Sequence, residues 1–456
     1  MGSYSIVGLG KLGASMAAAI ASRGHRVIGV DVIPAAVEAV NAGRAPVQET
    51  ALDETIAAHR DRISATLDYT EAVRDTEATF VVIPTPSAPD GSFDIRYARE
   101  AFAGIGRALR DKSGYHLVVM TSTVLPGATR YGLIPLLEEG SGKRAGVDFG
   151  VCYSPEFIAL GSVIRDFLHP DFTLIGEYDE RSGDALEAIY GGILANQAPA
   201  ARMSIENAEL AKVAVNTYVT TKITFANMLA EICDRLPGGD VDAVTRALGM
   251  DSRIGARYLT GALGYGGPCF PRDNQALSFI ARAVGSDAPI ADATDRTNRS
   301  LPAALAQRAL DGIEDGARVA VLGLSYKPAS HVVEESQGLA LANAMAAAGA
   351  RVRAFDPLAN GTAQGAADAR VELVDSVEAC LQGARVVLIT NPDPAFRGLD
   401  AAAFAATARP VRVVDYWRLL PALAGEPGIE YVGYGRARDE SAGERLADLW
   451  AAPAGR

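Results

Sequence analysis

The sequence predicts an α/β protein with two doubly wound domains joined by a long central helical segment. Three observations carry this. The chain opens on the order strand, glycine turn, helix, strand, acid, from Tyr4 to Asp31. A looser version of that order returns from Arg318 to Asp356. Between the two, from Ser204 onward, apolar positions recur at helical spacing with few breakers. Both ends are therefore expected to be Rossmann-like, with domains at 1–200, 201–300 and 301–456.

Taken in order, Tyr4–Val7 is an apolar run suited to a buried strand, followed by Gly8-Leu9-Gly10-Lys11-Leu12-Gly13 and an Ala-rich helix to Arg23. The glycines permit a tight turn and close approach of a pyrophosphate, whose charge the helix N-terminus receives. Gly8, Gly10, Leu12 and Gly13 are the cofactor-side candidates. The next strand, Arg26–Val30, ends in Asp31, placed to accept hydrogen bonds from a ribose diol. No Arg or Lys follows before Arg44, so nothing close by receives a 2′-phosphate, and NAD is favoured over NADP.

Thr79–Ile83 and His116–Met120 are further strands, ending in Pro84-Thr85-Pro86 and Thr121-Ser122-Thr123. Ligands of open α/β sheets bind at such strand C-termini. Thr85 and Thr123 are thus cofactor-side candidates, with helix capping as the competing role. Phe149–Tyr153 leads into Ser154-Pro155-Glu156-Phe157, where Glu156 is either a buried carboxylate with a raised pKa or a solvated loop acid.

Glu206–Leu229 has helical periodicity. Lys212 and Asn216 share a face, as do Glu209 and Lys212. Spacing leaves open a solvated salt-bridge face or a lysine–amide pair that could hold a developing alkoxide. The stretch Gly264-Tyr265-Gly266-Gly267-Pro268-Cys269-Phe270-Pro271-Arg272-Asp273 comes next. Its glycines allow a backbone to approach a ligand, and Pro271 suits the first turn of a helix. Cys269 would then stand at a helix N-terminus, where a thiolate is favoured, with Asp273 one turn on and facing the same way. That is the start of a covalent site. A glycine turn with a buried thiol and a solvated aspartate is the alternative.

Arg318–Gly323, Leu324-Ser325-Tyr326-Lys327-Pro328 and Arg351–Phe355, ending in Asp356, form the second half, with the phosphate glycines largely missing. Val386–Thr390 and Val411–Asp415 add strands. Gly361–Gly365 and the tail Ala451–Arg456 read as a loop and a frayed terminus. The active site is expected between the two α/β domains.

Composition narrows the function classes. A chain of 456 residues, 49% hydrophobic and 21% charged, is globular with ample core. A net charge of −12 argues against nucleic acid as a partner. Cys152, Cys233, Cys269 and Cys380 are scattered, with no CxxC or Cys/His cluster, so no metal site is expected and reduced, cytoplasmic thiols are favoured. No basic-then-apolar leader opens the chain, no run reaches bilayer length, and Ile6 stands where myristoylation needs Ser or Thr. No membrane partner is expected.

Together the motifs resemble the UDP-glucose/GDP-mannose dehydrogenase family across nearly the whole chain. The matching pieces are GLGKLG (8–13), IPTPSAPDGSFD (83–94), STVLPGAT (122–129), SPEF (154–157), ENAELAKVAVNTY (206–218), DSRIGARYLTGALGYGGPCFPRD (251–273) and GLSYKPASHVVEES (323–336). The resemblance implies Cys269 as catalytic thiol and Asp273 as its partner carboxylate. It implies Lys212 and Asn216 as stabilisers of oxygen at the reacting carbon. Glu156 and Thr123 would handle the hydrolytic water. Phe157, Tyr258, Tyr265, Gly266 and Lys327 would lie on the substrate side, with Arg253 donated across a homodimer interface. The implied reaction is a four-electron, NAD-dependent oxidation at C6 of a nucleotide sugar through a Cys-bound thiohemiacetal and thioester.

UDP-glucose is the favoured substrate, because CFPRD lies nearer that branch's cysteine motif. GDP-mannose and a UDP-N-acetylhexosamine are the alternatives. Leu160, Glu334, Trp417 and Pro268 depart from the family pattern around the nucleotide and sugar. A two-electron hydroxyacid dehydrogenase, needing neither Cys269 nor a second domain, and a non-catalytic NAD- or sugar-nucleotide-binding regulator are the competing readings.

Overall fold

The computed structural model describes residues 1–158, 161–437 and 442–450. Contacts divide it into two compact units, Met1–Val215 with Phe279–Gly285, and Asn216–Ser278 with Ser286–Arg456. Leu160 and the tail 451–456 lie outside the described residues.

The first unit is built on a sheet of eight strands: β1 (Ser3–Val7), β2 (Arg26–Val30), β3 (Ile63–Thr66), β4 (Ala78–Val81), β5 (Leu117–Met120), β6 (Gly150–Tyr153), β7 (Thr173–Glu177) and β8 (Ala200–Ser204). They lie in the order β3-β2-β1-β4-β5-β6-β7-β8, parallel except where β7 meets β6. The first six follow the doubly wound order, which reverses at β1/β4 and opens a crevice beyond the strand C-termini there. β4, β5 and β6 are buried at every position because helices cover both faces. Successive residues feed opposite cores: Ile6, Phe80 and Val119 one, Val7, Val81 and Val118 the other.

The second unit repeats the plan with β9 (Arg318–Leu322), β10 (Arg351–Phe355), β11 (Val371–Leu373), β12 (Val386–Ile389), β13 (Val411–Asp415) and β14 (Ile429–Gly433). The order is β11-β10-β9-β12-β13-β14, with every pair parallel. The likeness reaches single hydrogen bonds. Gly8 N–H donates to Val30 O at 2.7 Å, and Gly323 N–H to Phe355 O at 2.9 Å. Asp31 accepts from Leu9 N–H at 2.6 Å, and Asp356 from Leu324 N–H at 2.8 Å. A Cβ on Gly13 would lie 1.9 Å from Gly8 O, and one on Gly338 2.4 Å from Gly323 O. The second half therefore keeps counterparts of the first and third fingerprint glycines, correcting the expectation that they are largely gone. The segment 324–337 separates them, so they do not stand at motif spacing.

A single helix of 31 residues, Ile205–Arg235, contributes Lys212 to the first unit and Asn216 to the second. It extends beyond the expected Glu206–Leu229. The stretch read as a loop at 361–365 is partly a helical turn, Asn360–Ala363. Among the described residues no helix is long and apolar enough to cross a membrane.

Candidate active site

At the β1 turn, Gly8 has a φ of +97°, and a side chain there would collide with Val82 O. Gly10 differs: a Cβ on it would meet nothing within 4 Å. Gly10 is also the residue before the helix Lys11–Ser22, and no side chain caps that helix start. Its first N–H groups therefore face the open ground above Gly10, the donor set a pyrophosphate needs. Leu12 is half-buried, packed against the core below. Asp31 is held by the N–H groups of Leu9 and Ile33, at 2.6 and 2.9 Å, one on each carboxylate oxygen. Each oxygen keeps a lone pair for a ribose diol. These residues fit NAD.

Side chains zip the ends of β4 and β5 together. Thr85 Oγ1 donates to Thr123 O at 2.7 Å, and Ser122 Oγ bonds both N–H and C=O of Ile83. Beyond β6, Ser154 is anchored to Leu174 O and to the Tyr190 hydroxyl, which fixes the entry to Glu156. Burial pushes the Glu156 carboxyl up to about 7 although part of its surface still meets solvent, and the Lys212 charge pulls the other way. Lys212 is buried, donates from Nζ to Glu156 O at 2.6 Å and lies 4.2 Å from the centre of the Phe157 ring.

One turn before Lys212, Glu209 is fully buried and accepts the N–H groups of Gly127 and Thr129 at 2.6 and 2.9 Å. Burial pushes its carboxyl up to about 7 against those bonds. The solvated salt-bridge face is thus excluded, since both side chains are buried and bond the backbone of other segments. The sequence gives Glu209 no signal of this, because its partners are backbone amides some eighty positions away.

The helix Phe270–Ala283 begins, on the second-unit side, where the Pro271 spacing predicts. Asp273 N–H donates to Cys269 O at 2.9 Å, so Cys269 is the residue at which the helix starts. Its thiol is exposed, whereas Cys152, Cys233 and Cys380 are buried. Burial pushes the Cys380 thiol up to about 12 and that of Cys152 higher still. Asp273 is itself buried, so the solvated-aspartate alternative does not hold; it accepts from Asn216 Nδ2 at 2.6 Å and Arg272 Nε at 3.3 Å.

The glycines before Cys269 serve the chain's own packing. A Cβ on Gly264 would strike Asn298 Oδ1 at 2.1 Å, on Gly266 the Glu335 carbonyl at 2.3 Å, and on Gly267 the Tyr326 ring at 2.6 Å. Tyr265 is buried, and its hydroxyl accepts from Asn274 Nδ2 at 2.9 Å. Tyr258 is exposed at a positive φ of 67° and meets the Phe270 ring edge-on. Arg253 is exposed and paired with Asp251 at 2.6 Å. Lys327 is half-buried, its Nζ 5.6 Å from the Tyr326 ring centre.

Among the departures, Glu334 is exposed and its carbonyl accepts Gly267 N–H at 2.9 Å. Trp417 Nε1 donates to Thr390 O at 3.0 Å. Arg418 next door is buried and spent on Asp242 and the carbonyls of Thr260, Gly261, Tyr416 and Tyr434. Sequence reasoning passed over Asn227, Asn274 and Asn298, whose amides all serve this region.

A glycine turn at a helix start that no side chain caps, followed by an aspartate at the next strand end, is the arrangement of a dinucleotide-binding domain. Comparison with known proteins narrows that class. Residues 3–194 match the NAD-binding domain of the UDP-glucose/GDP-mannose dehydrogenase family, 206–300 its central domain and 320–422 its UDP-binding domain. The chain belongs to that family. It is 37% identical over 404 residues to the UDP-glucose 6-dehydrogenase AglM of Haloferax volcanii, covering 87% of this chain and 92% of the relative. It is also 37% identical over 411 residues to the GDP-mannose 6-dehydrogenase of Azotobacter vinelandii, with the same coverage. A solved UDP-glucose dehydrogenase from the archaeon Pyrobaculum islandicum superposes with a TM-score of 0.84 at 37% identity, covering 96% of this chain and 98% of the other. The protein is an NAD-dependent nucleotide-sugar 6-dehydrogenase.

Proposed function

We propose that the protein oxidises the C6 hydroxymethyl group of UDP-glucose to a carboxylate through a covalent adduct on Cys269. The observation that carries this is a solvent-facing thiol on the residue immediately before a helix, a position that favours a thiolate. Gly8, Gly10, Leu12 and Gly13 would hold NAD, with Asp31 on its ribose and Thr85 and Thr123 nearby, and bound NAD would accept the hydride in each of two oxidations.

In this reading the alcohol would give its C6 hydride to the dinucleotide and its hydroxyl proton to solvent water, leaving the C6 aldehyde. Sγ of Cys269 adds to that carbon as a thiolate, and the resulting oxyanion is held by Lys212 and Asn216. Loss of a second hydride converts the thiohemiacetal to a thioester. Water then breaks the C–S bond, returning the thiolate and releasing the acid. Glu156, with a carboxyl near 7, takes the proton of that water, and Thr123 helps place it. Asp273 orients Asn216 through their 2.6 Å hydrogen bond. Phe157, Tyr258, Tyr265, Gly266 and Lys327 serve the substrate side.

The proposal extends to a cytoplasmic homodimer in which Arg253 reaches the partner's substrate, with functional segments at 1–200, 201–300 and 301–456. Tyr218, Phe225, Met228 and Ile232 are exposed on the long helix and recur at helical spacing, an apolar stripe suited to a second copy.

GDP-mannose is the second reading, because the Azotobacter vinelandii relative is as similar as the first. The test is turnover on a panel of UDP-glucose, GDP-mannose and UDP-N-acetylhexosamines. Two NADH per acid on UDP-glucose, with Cys269→Ser forming little acid, supports the proposal. One NADH with free aldehyde supports the two-electron reading, and binding without turnover supports a regulator.

A further inference from the structure

We infer that Asn227 and Asn298 are positioning residues, whose carboxamides hold the backbone of 262–265 and so set where the thiol of Cys269 stands. The inference rests on the reading of Cys269 as nucleophile. Asn298, from the helix Pro289–Leu310, grips one residue at both ends. Its Oδ1 accepts Tyr265 N–H at 2.9 Å, and its Nδ2 donates to Tyr265 O at 3.0 Å. Asn227, from the long helix, makes the same kind of clamp three residues earlier. Its Oδ1 accepts Ala262 N–H at 2.9 Å, and its Nδ2 donates to Leu263 O at 3.0 Å. Both amides are buried, at 6% and 5% relative exposure for Asn227 and Asn298.

The segment has no strand to pair with, yet Ala262, Leu263 and Tyr265 are buried, so their backbone groups need partners. A carboxamide carries an N–H donor group and a carbonyl acceptor side by side, the complement of a peptide unit's C=O and N–H. Asparagine is a middling helix former, so apolar packing alone would be better served by other residues at these helix positions. On the far side of Cys269, Asn274 donates to the Tyr265 hydroxyl at 2.9 Å and to Thr220 Oγ1 at 3.0 Å. The chain is therefore pinned before and after the thiol while the thiol itself stays exposed. Such fixing matters to a covalent step, because a displacement of about 1 Å at a nucleophile can cost on the order of 100-fold in rate.

The test uses the full-length enzyme with Asn298→Ala, Asn298→Asp, Asn227→Ala and Gly264→Ala. The last approaches the same clamp from the loop side, since its Cβ would overlap Asn298 Oδ1. Aspartate keeps the acceptor and loses the donor, so it should fall between wild type and alanine. Four readouts are taken: kcat and KM for the sugar nucleotide, NAD affinity, thermal midpoint, and the rate of iodoacetamide alkylation of Cys269 against pH, followed on its peptide by mass spectrometry.

We expect kcat to drop roughly 10- to 100-fold, NAD affinity to stay within about twofold of wild type, and the alkylation profile to shift, with aspartate intermediate. Variants that keep the wild-type alkylation profile overturn the inference, whether their kcat is retained or falls only with the thermal midpoint. Alkylation does not depend on turnover, so it judges positioning separately. Should Cys269→Ser remain fully active, it is the reading of Cys269 as nucleophile that fails.

Discussion

Two alanine substitutions in one glycine turn should have opposite effects on stability, and the contrast tests where the dinucleotide lies. At Gly13 the added Cβ would sit 1.9 Å from Gly8 O and 3.3 Å from the Ile6 side chain, against backbone that cannot rotate away. Overpacking of this kind costs about 1–3 kcal/mol, or roughly 2–4 °C in melting temperature per kcal/mol for a unit of this size. At Gly10 the added Cβ meets nothing within 4 Å, and φ is −70°, which alanine adopts freely. Restricting the unfolded chain there should stabilise the ligand-free protein by about 0.4–1 kcal/mol. The open ground above Gly10 is nevertheless where the proposed site brings a pyrophosphate into contact with the backbone, and a methyl group would fill it. Gly10→Ala should therefore melt at or above the wild-type temperature and bind NAD at least about tenfold more weakly. Gly13→Ala should melt lower. Differential scanning fluorimetry without NAD, followed by NAD titration calorimetry, reads both effects. Wild-type NAD affinity in Gly10→Ala would show that the phosphates pass elsewhere, and the helix start would lose its assigned role.

Glu156→Gln should allow the oxidations and stall release of the acid. Wild-type acid release should rise with pH through about 7, where the carboxyl ionises, while the glutamine variant shows no such limb in stopped-flow assays. Glu209 gives a stability prediction of definite sign. Its folded-state value, about 7, lies above its unfolded one, so the folded protein binds that proton more tightly. The stability it contributes is full below about 4.5 and is lost as pH rises toward 7. Glu209→Gln should flatten that decline in urea midpoints measured from pH 4.5 to 8; an identical slope in both proteins would refute the assignment. Phe225→Asp with Met228→Asp places charge in the apolar stripe, and sedimentation equilibrium should show monomers; an unchanged assembly would move the interface off the long helix.

What could be read from the sequence depended on whether an interaction is local in the chain. Gly8, Gly10, Gly13 and Asp31 were legible because the turn, the helix start and the next strand end lie within a few tens of residues. Their counterparts Gly323 and Gly338 were not, because the insertion between them breaks the spacing while leaving the contacts intact. The glycines of 264–267 invited a ligand-approach reading because a sequence does not show that Glu335, Tyr326 and Asn298 crowd them. Asn227 and Asn298 were illegible for a stricter reason. Their partners are backbone groups 33 to 36 positions away, and a peptide group carries no sequence signature.

The duplicated turn also explains why the two sheets should meet phosphate differently. In the first, no side chain among the described residues caps the helix after Gly10, so its N–H groups and dipole are available to an anion. In the second, the corresponding helix Gln337–Ala347 begins at Ser336, whose hydroxyl already accepts from Leu339 N–H. The inserted segment takes the place of the bare turn, and Asp356 holds it by accepting from Leu324 N–H, Ser325 N–H and Ser325 Oγ. Asn391 reinforces that hold through Ser325 O and Oγ. Two residues further on comes Lys327, a side-chain cation in place of a helix terminus. A phosphate there would be held by a charge on a flexible stem rather than by a fixed row of amides. Lys327→Met should accordingly raise KM for the sugar nucleotide and leave NAD affinity unchanged, whereas Gly10→Ala should do the reverse. A shared effect of both substitutions on both ligands would mean that the two sheets do not divide the phosphates between them.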